Sequence, residues 1–160
     1  MRIGVRLKFL FFAHYWWLLS LTLVCTLFVL LWRNEPIPTI ATVVGAILSL
    51  TYFAQKQKLE ELRLFRELFK EFNTRYDDMN EKLAKIVEAH GSEVSAQERK
   101  DLVDYFNLCG EEYLYFDRGY IEPAVWRAWH NGMKNIISAS RVAKVWEIEK
   151  STDSYYGLPL

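Results

Sequence analysis

Two uninterrupted apolar segments fill most of the first third of the chain. Residues 9–31 read FLFFAHYWWLLSLTLVCTLFVLL and residues 37–54 read IPTIATVVGAILSLTYFA, and neither contains a formal charge. As helices they would extend roughly 34 Å and roughly 27 Å, which suits the roughly 30 Å hydrocarbon core of a bilayer. The link 32–36 is too short to hold a domain. The pattern therefore predicts a two-helix transmembrane hairpin within residues 1–54.

A secretory signal and a buried helix pair in a water-soluble fold are the two alternatives to this hairpin. The first segment is longer than the apolar region of a signal, and no small-residue cleavage site follows it before the charged link. A chain of 160 residues is too small to hide two such uniformly apolar helices. Both alternatives are disfavoured.

Basic residues predict the orientation of the hairpin. Arg2, Arg6 and Lys8 precede the first segment and four more basic residues soon follow the second, whereas the link carries only Arg33, offset by Glu35. Because Lys and Arg next to membrane spans favour the cytoplasmic side, we expect both termini in the cytoplasm.

The following region, 55–150, has the spacing of helices. Apolar residues recur there at alternating intervals of three and four, as in a heptad repeat, and no Pro or Gly interrupts the chain before Gly91. This predicts a stalk helix over 55–90, ended by Gly91 and Ser92 and open to continuity with the second apolar segment. The stalk seam consists of Leu62, Phe65, Phe69, Phe72, Tyr76, Met79, Leu83 and Ile86.

The stalk seam has two interpretations. It could form a coiled coil with a second copy of the chain, or it could be the core face of a small intramolecular bundle. Four successive aromatic positions crowd a two-stranded coiled coil, so the bundle is favoured.

Three shorter helices are predicted after the stalk. Ser95 and Glu98 have the spacing of a capping box that starts the first of them, and Gly119 suits its end. Pro123 suits the first turn of the next helix, and the last covers 141–150. Residues 151–160 lack periodicity and are expected to be an irregular tail. The fold class is therefore all-α, with a transmembrane hairpin, a long stalk helix and a small cytoplasmic helical bundle.

The second apolar segment carries a stripe of small residues. Ala41, Gly45 and Ser49 recur every four positions, and this arrangement lets helix backbones approach closely in lipid. Either the first apolar segment of the same chain or a second copy can occupy this helix-packing face. A homo-oligomer is thus one of two expectations.

Charge and cysteine content exclude some partners. The chain has 20 Lys and Arg against 20 Asp and Glu, and the part after the hairpin is slightly acidic, so it offers no basic surface for nucleic acid. Cys25 lies in an apolar segment and Cys109 far outside it, so no disulfide is expected.

The sequence contains no recognisable catalytic motif. It has no Gly-rich phosphate loop, no cysteine pair at metal-binding spacing and no nucleophile elbow, so we expect neither an enzyme nor a cofactor or metal site. Glu112 falls on an apolar flank of its helix, where Arg118, Arg127 or Lys134 is expected to hold it. A polar cluster on the stalk is interpreted as a hydrogen-bonded or solvated helix face: Asn73, Arg75, Tyr76, Asp77 and Asp78.

Residues 104–123 (DYFNLCGEEYLYFDRGYIEP) resemble the central motif of uncharacterised bacterial membrane proteins in which a two-helix hairpin precedes a cytoplasmic helical domain. Residues 71–80 (EFNTRYDDMN) are similar to the stalk of those proteins, and the resemblance covers roughly residues 56–137. It implies a bacterial inner-membrane location and a helical fold. It implies no catalytic residues and no reaction.

Two functions fit this sequence, and the lipid bilayer is a partner in both. A membrane-anchored, non-enzymatic helical interaction module would bind an unknown cytoplasmic protein or a second copy of the chain. A membrane-active effector would instead perturb the bilayer through oligomerised hairpins, although no ring of charges supports selective conduction. The interaction module is favoured over the effector, and an enzyme is a distant third because no group of residues meets the requirements of an active site.

Overall fold

The computed structural model describes residues 3–89 and 93–160, and within them every regular element is a helix. The described helices are α1 (Ile3–Trp32), α2 (Ile37–Glu88), α3 (Ala96–Asp117), α4 (Pro123–Ile137) and α5 (Ser140–Lys150). The all-α prediction is confirmed. Two compact units divide the chain, and the second of them is Leu64–Leu160.

The first unit is a helical hairpin. Helix α1 ends where the backbone N–H of Arg33 donates to the carbonyl of Val29 at 3.0 Å, and Asn34 turns the chain with a φ of 51°. Pro36 then accepts the first backbone hydrogen bonds of α2. Two described helices, α1 and α2, are long and apolar enough to cross a membrane. Only 6% of the most apolar 18-residue stretch of α1, and 0% of that of α2, is buried.

Contacts at the open end of the hairpin fix how its two helices align. Lys8 Nζ lies 3.0 Å from Glu61 Oε1. Lys58 Nζ lies 5.2 Å from the centre of the Tyr15 ring, within the range of a cation–π contact. Tyr15 is buried, at 4% exposure. Tyr15 and Lys58 therefore lie at the same level of the antiparallel pair.

The predicted stalk and the second apolar segment form one continuous helix, α2. No residue within it breaks the backbone hydrogen-bond pattern, because its only proline, Pro38, lies in the first turn where an N–H is not needed. The predicted stop at Gly91 and Ser92 lies outside the described residues.

The second unit has its own hydrophobic core, with α3 packed against both α4 and α5. The Ser95 capping box is confirmed: Ser95 N–H donates to Glu98 Oε2 at 2.8 Å, and Glu98 N–H donates to Ser95 Oγ at 3.2 Å. Gly119, with a φ of 80°, follows the end of α3 as predicted. The most completely buried side chains of this core are Phe72, Leu83, Leu102, Phe106, Leu108, Cys109, Ile121, Val142 and Trp146.

The stalk seam contributes to this core over only part of its length. Phe72, Leu83 and Ile86 are buried, whereas Leu62 and Phe69 are exposed. Leu68, which lies outside the seam, is buried as well. Within Leu64–Leu160 the seam residues from Phe72 onward face other helices of the same chain.

Arg141 of α5 joins the end of α2 to the start of α3. Its guanidinium donates to the carbonyl of Ile86 at 3.2 Å, to the carbonyl of Glu93 at 2.6 Å and to Glu98 Oε2 at 3.2 Å. The side chain is buried, with an exposure of 9%. These bonds satisfy carbonyl groups that lie beyond the helical hydrogen-bond pattern.

Residues 151–160 contain no helix but pack against the core. Tyr155 and Leu158 are buried, and Tyr155 lies 5.3 Å from Trp146 between ring centres. A Cβ at Gly110 would stand 3.4 Å from the Tyr155 Cα, so the absence of a side chain there permits this approach.

Candidate functional site

Helices α2, α3 and α4 enclose a pocket of about 180 Å³ within the second unit. Aromatic and small side chains form most of its wall, and one carboxyl group faces it. The residues that line the pocket are Asn73, Tyr76, Tyr105, Glu112, Ala128, Trp129, Gly132 and Met133.

Glu112 is the polar group that sets this pocket apart. It is 93% buried, since its exposure is 7%. Among the described residues, no hydrogen bond or salt bridge reaches its carboxyl group, and the expected partners Arg118, Arg127 and Lys134 do not pair with it. A buried carboxylate without a partner is energetically unfavourable, so its presence points to a ligand or a proton.

Arg75, the cation nearest to Glu112, pairs with the carboxylate of Glu111 instead. Arg75 Nη1 lies 2.5 Å from Glu111 Oε2 and Arg75 Nη2 lies 3.2 Å from Glu111 Oε1. Glu71 on the same helix is 3.8 Å from Arg75. Three carboxylates, those of Glu71, Glu111 and Glu112, thus surround one guanidinium, and the local charge is negative.

The environment of Glu112 favours its protonated form. Burial raises the pKa of Glu112 to about 8, the positive charge of Arg75 opposes this increase, and the negative charge of Glu111 adds to it. Burial also raises the pKa of Tyr76, and it raises that of Tyr105 far above its usual value. Both tyrosine hydroxyls are therefore neutral over the physiological range.

Other aromatic residues hold the pocket wall in place. Trp129 stacks on Phe69 with ring centres 5.7 Å apart, and it meets Phe72 edge to face at 5.9 Å. Tyr76 and Tyr105 lie 6.4 Å apart between ring centres. The wall is thus a set of rings fixed by packing on neighbouring helices.

Small residues keep the outer side of the pocket open. Ala128 and Gly132 are exposed, and they are one helical turn apart on α4. A Cβ added at Gly132 would meet nothing within 4 Å. A larger side chain at this position could therefore occupy part of the pocket without a clash.

This arrangement is suited to binding. One carboxyl group lies among aromatic rings. Cys109 on α3 is 1% exposed, and burial raises the pKa of its thiol well above its usual value, as is typical of an unreactive cysteine. Within residues 3–89 and 93–160 no group of three His, Cys, Asp or Glu side chains is arranged to hold a metal ion.

The structure separates the predicted helix-packing face from the hairpin interface. Ala41, Gly45 and Ser49 are exposed in this single chain, whereas Val43, Val44 and Ile47 are half-buried. A Cβ at Gly45 would meet nothing within 4 Å, so the small residues do not serve a close approach to α1. Their face is open to another helix.

Sequence reasoning found only part of the pocket. The position of Glu112 on an apolar flank indicated burial, and Tyr76 and Asn73 belonged to the predicted polar cluster. The ion pair of Arg75 with Glu111 spans 36 positions, so no local pattern reveals it. Ala128 and Gly132 were missed, because two small residues four apart indicate a close helix approach in lipid and do not by themselves indicate an opening in a helix outside the membrane.

No protein-family model, curated protein or solved structure matches the chain. The resemblance of residues 104–123 to bacterial membrane proteins stays a prediction.

Proposed function

We propose that this protein is a membrane-anchored, non-enzymatic helical interaction module of the bacterial inner membrane. The transmembrane hairpin within residues 1–54 is the anchor, and a cytoplasmic helical domain that includes the pocket is the binding part. The observation that carries the proposal is the exposure of the hairpin, since the most apolar stretches of α1 and α2 are only 6% and 0% buried.

Exposure on this scale requires an apolar partner. Soluble monomeric proteins rarely expose contiguous apolar patches larger than a few hundred Å². Here the exposed side chains continue along both helices, including Leu21, Phe28, Leu48 and Leu50, each more than half exposed. Lipid covers such surfaces on all sides, whereas the small second unit has a core of its own.

The alignment of α1 with α2 gives the length of the hairpin that would lie within the membrane. Tyr15 lies at the level of Lys58, and the charged part of α2 begins at Lys56. The segment of α1 that faces the uncharged part of α2 therefore starts near Tyr15 and covers roughly 18 residues, or roughly 27 Å. Residues 9–14 would then lie in the interfacial region, and exposed Trp16, Trp17 and Trp32 would mark the two boundaries.

Orientation follows from the flanking charges. The basic residues before the first apolar segment and after the apolar part of α2 favour the cytoplasm, so both termini are proposed to lie there and the link 32–36 outside. Two partners are proposed besides lipid. A second copy can use the exposed face of Ala41, Gly45 and Ser49, and a cytoplasmic protein can bind the helical domain.

Labelling of introduced cysteines tests this topology. Asn34→Cys places a thiol in the link and Ser151→Cys places one after α5, while the native Cys109 is 1% exposed and Cys25 lies within the anchor. A membrane-impermeant maleimide should label Asn34→Cys in intact spheroplasts and Ser151→Cys only after lysis. The unsubstituted chain is the background control, and labelling of Ser151→Cys from outside would contradict the proposed orientation.

A further inference from the structure

We propose that the pocket between α2, α3 and α4 binds a small organic ammonium ion, with Glu112 as its counter-ion and Tyr76, Tyr105 and Trp129 as the aromatic walls. This inference names a ligand class that the anchoring role does not supply. It concerns Leu64–Leu160 only, so it can fail while the membrane anchor stands.

Charge is the first argument. Glu112 is buried, with an exposure of 7%, and lines the pocket. Its carboxyl group has no hydrogen-bond or salt-bridge partner among the described residues, because Arg75 binds Glu111 with two hydrogen bonds. When this carboxyl group is ionised, the pocket lacks one positive charge. A cation inside it would remove the cost of a buried, unpaired carboxylate.

Aromatic rings are the second argument. Three of the eight lining residues are Tyr or Trp, and aromatic faces attract desolvated cations within about 6 Å of the ring centre. A quaternary ammonium suits such walls especially well, since it has no N–H groups that need hydrogen-bond acceptors. The carboxylate and the rings together select for positive charge on an apolar body.

Volume is the third argument. At about 180 Å³ the pocket is smaller than the roughly 300–1,000 Å³ of sites for drug-sized ligands. It suits a group such as trimethylammonium and is too small to enclose a nucleotide. A bare metal ion fits less well, because most of the wall consists of apolar and aromatic side chains.

Choline and its uncharged isostere 3,3-dimethylbutan-1-ol are the probes. The full-length protein is purified in an alkyl maltoside, which has no ammonium group, and binding is measured by isothermal titration calorimetry at pH 9. Choline should bind and the isostere should bind at least roughly tenfold more weakly, the difference expected for a hydrogen-bonded or desolvated charge contact.

Two variants test the named residues. Glu112→Gln keeps the shape of the side chain and removes its charge, so choline affinity should fall roughly 10- to 100-fold. Gly132→Leu should fill the open side of the pocket and abolish binding. Glu147→Gln, on the exposed side of α5, removes the same charge outside the pocket and should leave the affinity unchanged.

The pH dependence gives a readout that a purely structural Glu112 would not produce. The charge of choline does not change with pH, whereas Glu112 must be ionised to pair with it. The affinity for choline should therefore fall roughly 100-fold between pH 9 and pH 6. The titratable and charged groups that face Glu112 are Arg75 and Tyr76 from α2 and Tyr105, Cys109 and Glu111 from α3. The lining residues of α4 carry no titratable group. Since those tyrosines and Cys109 stay neutral, Glu112 dominates the profile, and at pH 7 binding should release about 0.9 proton.

Three results would overturn this inference. They are equal binding of choline and its isostere, unchanged affinity in a folded Glu112→Gln variant, and absence of choline binding at pH 9. Circular dichroism of each variant confirms that the helical fold is retained. None of these results affects membrane extraction or labelling of the hairpin, so the anchor is judged separately.

Discussion

Arg75 and Glu111 form a two-bond ion pair, at 2.5 Å and 3.2 Å, and this pair leaves the adjacent Glu112 without a counter-ion. Neighbouring residues on a helix diverge by roughly 100°, so a single guanidinium cannot satisfy both carboxylates equally. Because of this geometry, the carboxylate of Glu112 has no counter-ion when it is ionised.

Removal of Glu111 should release Arg75 toward Glu112. In Glu111→Gln the pKa of Glu112 should fall below about 8, because a cation draws near and the negative charge of Glu111 is lost. Titration followed by carbon-detected NMR of labelled glutamate side chains measures this change. Glu147→Gln is the matched control and should leave the pKa of Glu112 unaltered, whereas an unchanged pKa in Glu111→Gln would refute the assigned role of Arg75.

Glu112 should make the domain less stable as the pH rises. The pKa of a freely solvated glutamate is 4.5 and that of Glu112 in the folded chain is about 8, so the folded state binds more protons between these values. The contribution of Glu112 to the free energy of unfolding should therefore be largest below pH 4.5. It should fall by roughly 3–5 kcal/mol by pH 9.

The comparison with Glu112→Gln isolates this contribution. Glutamine resembles the protonated acid, so the variant should equal the original chain at pH 4 and exceed it in melting temperature at pH 9. Thermal unfolding of both proteins by circular dichroism across this range gives the difference. A difference that stays constant with pH would show that the carboxyl group titrates normally.

Arg141→Met should destabilise the second unit by roughly 2–4 kcal/mol. The substitution keeps an apolar stem but leaves the carbonyls of Ile86 and Glu93 without their donor. Urea unfolding measures the loss.

Arg99→Met is the matched control for this variant. Arg99 forms a 2.7 Å salt bridge with Glu149, but half of its side chain is exposed, so the expected cost is below about 1 kcal/mol. Equal costs at the two positions would contradict the role given to Arg141 as the residue that joins α2 to α3.

Gly45→Leu should weaken self-association without unfolding the hairpin. The position is exposed and a Cβ there meets nothing within 4 Å, so the monomer tolerates the larger side chain. Analytical ultracentrifugation in density-matched detergent measures the oligomer. Leu50→Ala, on an exposed position outside the small-residue face, is the control, and an unchanged oligomer in Gly45→Leu would remove this face as an interface.

Local signals predicted the helices well because their causes are local. The Ser95 capping box, the Gly119 turn and Pro123 at the start of α4 each depend on residues within a few positions of one another. The sequence left open whether the stalk continues the second apolar segment, and the structure shows one helix, with no Pro or Gly between Ala54 and Glu88.

The contacts that define the site depend on residues distant in sequence. Arg75 meets Glu111 across 36 positions, and Arg141 meets Ile86 across 55. Any of several basic residues could have neutralised Glu112 by composition alone. Only the packing of α2, α3 and α4 decides that none of the expected three does so.

Residues 151–160 show the same limit. They have no periodicity, and they are irregular, but Tyr155 and Leu158 complete the core against Gly110 and Trp146. Burial of an aperiodic segment depends on a complementary surface that forms only when the helices assemble.

Alkaline carbonate extraction of membranes from cells that express the full-length chain is the decisive test of the membrane anchor. Peripheral and soluble proteins enter the supernatant under these conditions, whereas a chain whose α1 and α2 are embedded in lipid should remain in the pellet and dissolve only with detergent. Recovery of folded protein in the detergent-free supernatant would contradict the anchor and the function proposed from it.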